Sequence, residues 1–352
     1  MFGQLRGRMG AKSGGGCFPQ RRADRRPSTT AAVEPHLPGR GYRIGIKCPA
    51  PLGDRGLQWG DFYFADALKR AFESHGHHAR LDLRPDWYDP RTLSDDVAIV
   101  LRGRKKYKPR FAQINLLWLI SHPDDVHQSE LETFDHVFVA SESYAEVLAR
   151  QASVPVSPLL QCSDPDSFYP ATGPNEHAKH DILFVGNSRG KMRQVVADAL
   201  SKNLPVSIFG TGWEKLLPPG CIAGSFIPNH LLHEYYAGAK IVLNDQWPDM
   251  EREGFVSNRV FDIALSGGFV ISRDFRRSGI GRELVTYRDA DDLDRLCRKW
   301  LEADVERREV AEHLRQVVLA SHTFTHRAAA LLKVIETLHK HRSAPPPMRL
   351  PR

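Results

Sequence analysis

Residues 117–127 read LWLISHPDDVH, an apolar run that ends in His122, Pro123, Asp124 and Asp125, with His127 following. Imidazole and carboxylate are zinc ligands, so one reading is a metal site. A second needs no metal: an imidazole with pKa near 6.5 can hydrogen-bond a hydroxyl or take its proton. A third is structural, with Pro123 and Asp124 starting a helix and Asp125 near its positive end.

Two further clusters lie in the second half. LFVGNSRGKMRQ (183–194) reads as a strand, a glycine-punctuated turn and a helix start. Backbone N–H groups there favour an anion, and Arg189, Lys191 and Arg193 add cations. Gly186, Asn187, Arg189 and Lys191 are therefore candidates for a diphosphate. Farther on, LND ends a strand, Glu251 and Glu253 stand in a polar loop, and Ser257 is placed to cap a helix. Asn258 and Arg259 fall in its first turn, with Asp262 on the same side. Such a helix start can hold phosphate while Asp262 accepts from ribose hydroxyls. The structural alternative for both clusters is a tight turn and a capped helix carrying solvated charges. An Asp-x-Asp in SDPDSF (163–168) resembles a metal motif, but its Pro-rich setting reads as linker.

The elements that must position these groups are legible. Strand candidates YRIGIK, HARLDLR, VAIVLRG, NLLWLIS, HVFVAS and PVSPLLQ fill the first half, with helices at DFYFADALKRAFESHG and ESYAEVLARQA. Nearly continuous apolar strands mark a parallel sheet covered on both faces. A polar linker follows, then a second β/α run: DILFVG, PVSIFG, a weak CIAGSF, IVLND, FVISRD and LVTYRD. Helices are read at RGKMRQVVADALSKN, NHLLHEYYAGA and VSNRVFDIALSGG, and three more close the chain. The expected fold class is α/β, two Rossmann-like parallel-sheet domains facing across a cleft. Expected boundaries are a disordered basic tail over 1–40, an acceptor domain over 41–165 and a linker over 166–180. A nucleotide-sugar domain then spans 181–320, and a helix with a Pro-rich tail spans 321–352.

At 352 residues the chain is long for one core. Hydrophobic content of 41% fits a folded chain, and no apolar run approaches a membrane span. The start lacks an apolar signal core. The five cysteines are scattered and odd in number, which points to a reducing, cytoplasmic setting. Net charge is +7, partly from Arg21, Arg22, Arg25 and Arg26 and from Lys340, Arg342, Arg349 and Arg352. Solvated tails are one reading of this excess; a basic surface that attracts anionic phosphates or lipid headgroups at a membrane periphery is another. No nucleic-acid signature appears, so no nucleic-acid partner is expected.

LFVGNSRGKMR, LLHEYYAGAKIVLND and EGFVSNRVFDIALSGGFVISRD resemble the C-terminal half of GT-B glycosyltransferases of the group 1 type, especially the CgeB-like spore-maturation branch. WGDFYFADALKRAF, LWLISHPDDV and LLQCSDPDSFYP resemble that branch's first half and linker. The resemblance implies a nucleotide diphosphate sugar bound by the second half and a glycan, lipid or protein acceptor bound by the first. It implies donor contacts at Gly186, Asn187, Arg189, Lys191, Gly210, Asn258, Arg259 and Asp262. Trp59, Gly60, Asp61 and Arg102 would line the acceptor side, with His122 and Glu253 as catalytic candidates. No cofactor or metal is expected, since such enzymes offset diphosphate charge with helix N-termini and Arg or Lys. Many retaining members carry E-x7-E here. In this chain Gly254, not Glu253, stands eight positions before Asp262, and the second acid is one methylene shorter. Two alternatives stand beside the enzyme: a nucleotide-sugar-binding protein without catalysis, and a zinc-dependent sugar deacetylase at His122, whose His-Pro-Asp-Asp is similar.

Overall fold

The computed structural model describes residues 41–173, 175–275 and 279–343. The basic stretch 1–40 and the end 344–352, read above as tails, lie outside them. Two parallel six-stranded sheets form the molecule. The first lobe runs β1 (Arg43–Lys47), α1 (Gly60–Ser74), β2 (His78–Asp82), β3 (Val97–Arg102), β4 (Ile114–Leu119), α2 (Gln128–Leu131), β5 (His136–Val139), α3 (Glu142–Gln151) and β6 (Val156–Pro158). The second begins with β7 (His180–Val185), α4 (Gln194–Ser201), β8 (Val206–Phe209), β9 (Ile222–Gly224), α5 (Leu232–Gly238), β10 (Ala239–Asn244) and α6 (Pro248–Glu253). It continues through α7 (Asn258–Leu265), β11 (Val270–Arg273), β12 (Val285–Tyr287), α8 (Ala290–Glu302) and α9 (Asp304–Ser321), before α10 (Phe324–Ser343).

The strand orders are β2-β1-β3-β4-β5-β6 and β12-β11-β10-β7-β8-β9. Each order reverses once, between β1 and β3 in one lobe and between β7 and β10 in the other. Ligands of such sheets bind outside the carboxyl ends of the strands at that reversal. β3 and β4 are buried at every position, as their unbroken apolar runs require. Helix α1 turns Phe64, Leu68 and Phe72 to the core at four-residue spacing, and Gly76 with φ 81° follows it. Ser141 caps α3 by accepting from the Tyr144 N–H at 3.2 Å.

The lobes share side chains. Met250 and Phe255 of the second lobe sit in one buried cluster with Leu117, Val139 and Ala145 of the first. Helix α10 crosses back, placing Phe324, Ala328, Leu331, Leu332 and Ile335 in the first lobe's main core beside Phe64 and Phe72. Lys340 and Arg342, counted above with the basic tail, stand in the last turn of α10, where Arg342 bonds Asp135 at 2.6 Å. No described helix is long and apolar enough to cross a membrane.

Candidate active site

The turn after β7 is shaped by its backbone. Arg189 and Gly190 both take positive φ, 61° and 77°, so α4 starts at Gln194 rather than near Arg189 as the sequence suggests. The turn is tied down from several sides. Trp213 Nε1 donates to the Gly186 carbonyl at 2.8 Å, and Asn187 Oδ1 accepts from the Thr211 N–H at 2.8 Å. Gly210 has φ 147°, and a Cβ there would lie 2.3 Å from the Gly186 carbonyl oxygen. Only glycine lets the β7 and β8 turns approach this closely. Asn187 and Gly210 thus build the turn.

Arg193 is buried and holds Asp245, just past β10, through two hydrogen bonds, with Nε to Oδ2 at 2.8 Å. Its Nη1 donates to the Asn187 carbonyl at 3.1 Å. Arg193 therefore locks the two strand ends that flank the reversal. Arg189 stays exposed at the edge, with its guanidinium 3.8 Å from the Trp247 ring centroid. Packing lowers its pKa, and Arg193, Arg259 and Arg104 lower it further, while Asp245 opposes them. A guanidinium stays charged at neutral pH. The lowered value registers packing first and, after it, nearby cations only partly offset by Asp245, a field that an anion would relieve. Arg259 bonds Asn244 Oδ1 at 3.2 Å from the first turn of α7.

Trp247 gathers groups from both lobes. Besides Arg189, Arg104 lies 4.6 Å and Lys191 5.6 Å from its ring, and the His122 ring centroid is 5.0 Å away. Cation–aromatic contacts are worth roughly 0.5–2 kcal/mol each. Neither Trp247 nor Arg104 was singled out from the sequence. Each has chemistry only through partners distant along the chain, and the one signal was a Trp just past a strand end.

His122 takes φ 55° before a single 3-10 turn, Pro123–Asp125, in place of the expected helix. That backbone is strained for a residue with a Cβ. Arg102 supports it. Wholly buried, it bonds Glu130 at 2.6 Å and donates to the Asp125 carbonyl at 2.8 Å, so it braces the turn from beneath. His122 Nε2 accepts from Arg104 Nε at 2.9 Å, which leaves Nδ1 as the protonated nitrogen facing Ser121 Oγ at 2.9 Å. Burial, then Arg104, pushes the imidazole pKa down to about 4, against the pull of Asp249 and Asp125. It is neutral at physiological pH. Among the described residues no three His, Cys, Asp or Glu side chains gather as metal ligands would.

The remaining candidates fall around this centre. Trp59 is exposed just before α1, Gly60 opens the helix, and Asp61 is half-buried in its first turn, where burial raises its carboxyl to about 6. Asp262 is buried in α7; Ser163 of the linker donates to Oδ1 at 2.6 Å and Asn258 to Oδ2 at 3.2 Å. Burial raises it to about 7. Ser257 makes no side-chain cap; its N–H donates to Gln246 Oε1 at 3.1 Å. The loop carrying Glu251 and Glu253 is instead the helix α6. The Glu253 carbonyl accepts from Ser141 and Ser143 of the first lobe, and its carboxylate pairs with Arg252 at 2.8 Å. Glu251 pairs with Arg273 at 3.0 Å, and burial lifts it to about 7. A cavity of about 550 Å³ opens elsewhere, at the amino ends of β7 and β10 beside Lys240 and Arg307, on the edge away from this chemistry.

Residues 189–333 match the family model described as Glycosyl transferase-like. The chain has the GT-B fold, and its match to that family model is confined to the second lobe and the start of α10. No curated protein matches the sequence significantly. Solved GT-B structures superpose over most of the chain. AviGT4, a glycosyltransferase involved in avilamycin A biosynthesis, aligns at TM-score 0.57 and 16% identity, covering 85% of this chain and 98% of its own. T4 phage BGT, solved with its substrate UDP-glucose, aligns at 0.53 and 12%, covering 86% and 100%. Anabaena HepE, solved with UDP and glucose, aligns at 0.56 and 11%, covering 85% and 100%. At such identities the likeness is one of fold. In this chain the cationic centre at Trp247 lies where the lobes meet, with Arg104 and His122 from the first and Arg189 and Lys191 from the second.

Proposed function

We propose that this GT-B enzyme moves a sugar from a nucleotide diphosphate sugar to an acceptor hydroxyl, the second lobe holding the donor. The observation that carries the proposal is the crowding of Arg189, Arg193, Arg259 and Arg104 at the strand reversal. As the bond from the anomeric carbon to the diphosphate oxygen breaks, the electron pair leaves with the diphosphate. Arg189, Lys191, Arg259 and the α7 amino end meet that charge, stabilising the transition state more than the ground state. These cations offset the diphosphate, so we expect full rate in the presence of a chelator. The acceptor oxygen bonds the anomeric carbon and gives its proton to His122 Nε2 once Arg104 turns to the diphosphate. Asp262 is our ribose contact, reached when Ser163 or Asn258 yields its bond. T4 phage BGT was solved with UDP-glucose and HepE with UDP and glucose, which makes UDP-glucose the first donor to try.

The test is calorimetry with UDP and UDP-glucose, followed by donor consumption with and without candidate acceptors. Micromolar to millimolar binding and slow donor hydrolysis are expected. Absence of nucleotide binding would sink the proposal. Binding without any turnover would favour a sugar-binding protein, a reading motivated by Glu253, whose carboxylate is taken up by Arg252. Retention of configuration, implied by the group 1 resemblance, would route the proton to the departing phosphate. NMR of the product anomer decides between that path and His122.

A further inference from the structure

Of the ten large apolar side chains well exposed among the described residues, six fall between Leu52 and Phe111. They are Leu52, Leu57, Trp59, Tyr88, Leu93 and Phe111. The fold explains part of the clustering. The connections β2–β3 and β3–β4 contain no α-helix, only 3-10 turns at 84–86 and 90–94. Each covers the sheet with its own aromatic, Trp87 and Tyr107, buried against Val100 and Leu117. The outer sides then lie open. Phe111 is fully exposed, and Leu93 and Tyr88 are about half exposed.

The two connections form one surface. Tyr88 stacks on Tyr107 with centroids 5.2 Å apart, and its hydroxyl accepts from the Lys108 N–H at 2.7 Å. Arg110 bonds the Tyr88 carbonyl at 3.1 Å and Thr92 Oγ1 at 2.7 Å. The loop bearing Leu52 joins them where the Arg84 N–H donates to the Ala50 carbonyl at 3.1 Å. Cations sit among these apolar groups. Arg104, Lys105, Lys106 and Lys108 are all exposed, and among the described residues neither Lys105 nor Lys108 is in an ion pair.

We infer that this helix-free face of the first lobe docks on an anionic lipid bilayer. Apolar patches this concentrated mark an interaction surface. The partner must combine phosphate-like charge with an apolar interior, as a bilayer interface does. Aromatic groups alone would also suit stacked bases. Leu52 and Leu93 do not stack, and they favour hydrocarbon. Arg104 reaches from this face to His122 and Trp247, so a docked bilayer would lie next to the cleft, where a lipid-borne hydroxyl could enter.

The experiment uses the full chain with phosphatidylcholine vesicles, with and without roughly a third phosphatidylglycerol. Co-sedimentation at low salt should occur only with the anionic vesicles. Changing Lys105, Lys106 and Lys108 together to Gln should weaken it roughly hundredfold, since each charge near an anionic surface is worth about fivefold. Melting temperature serves as the folding control. In Phe111→Trp, the indole emission should shift to the blue on anionic vesicles. The inference is overturned if the parent ignores anionic vesicles, or if the triple variant binds as the parent does. It is overturned too if an oligonucleotide binds with the same lysine dependence while the Phe111→Trp emission stays unshifted on vesicles. None of these readouts needs a sugar donor, so failure of the transfer reaction and failure of docking are separable.

Discussion

At the scale of residues, the site is an arrangement of cations waiting on charge. Arg189 makes contact mainly with an aromatic face and other cations, so a diphosphate oxygen should gain a charge-assisted hydrogen bond there, about 1.5–3 kcal/mol. Arg189→Ala is expected to weaken UDP roughly ten- to hundredfold by calorimetry and to leave uridine nearly unchanged. Equal losses for both would make Arg189 a structural residue. His122 gives a pH signature. Its folded pKa lies below the ordinary value, so it is a neutral acceptor above about pH 5 and becomes protonated as pH falls through about 4. The acid limb of kcat/KM should fall there. Arg104 disfavours the protonated ring, so Arg104→Ala should move the limb upward, toward but not reaching 6.5, because burial is the larger cause. A limb that stays in place in Arg104→Ala, with base-dependent activity lost in Asp61→Asn, would assign the base to Asp61 instead.

At the scale of elements, the turns decide whether these side chains converge. Gly210→Ala should push the β8 turn off the Gly186 carbonyl, since 2.3 Å is well inside contact distance. Strain at that φ together with the clash should cost about 1–3 kcal/mol or more. Melting temperature and UDP affinity should fall together. A variant with parental affinity would show that the β7 turn tolerates displacement. These turns also mark how far sequence reasoning reached. All twelve strands were legible, the central ones such as β3 and β4 because buried parallel strands are written as continuous apolar runs, while β2, β6, β9 and β12 are only part-buried and carry weaker runs. Helices α1, α3, α8 and α9 were legible from apolar spacing. Helix α6 was read as a polar loop because six residues rich in Asp, Glu and Arg carry no period. Its buried members, Met250 and the following Phe255, pack against a lobe a hundred residues away. Arg189, Lys191 and Arg193 were legible as a cationic turn. That Arg193 would be consumed by Asp245 while Arg189 met Trp247 was not, because the αL conformation at Arg189 is set by tertiary contacts. His122 was singled out by type, whereas its neutral state depends on Arg104, eighteen residues upstream.

At the scale of the whole molecule, the chain's path makes the lobes interdependent. After completing the second lobe, α10 returns to fill the first lobe's core, where Leu331 and Ile335 are fully buried. The return segment also bears Arg327, which bonds the carbonyls of Leu160 at 2.6 Å and Gln161 at 3.0 Å, and Thr323 bridges Ser163. Ser163 in turn bonds Asp262 of α7. One strap thus ties first-lobe core, linker and α7. Leu331→Ala should remove buried apolar volume worth about 2–5 kcal/mol. Because Phe255 and α10 couple the lobes, the chain should still melt in a single transition, shifted down, when followed by circular dichroism. A chain ended after His322 should fare worse, since α1, β1 and β4 would face water where α10 had been. Protease should then cut the first lobe while nucleotide still protects the second. Two separate transitions in Leu331→Ala, or a truncated chain as resistant as the parent, would mean that α10 is an appendage and that the lobes fold independently of it.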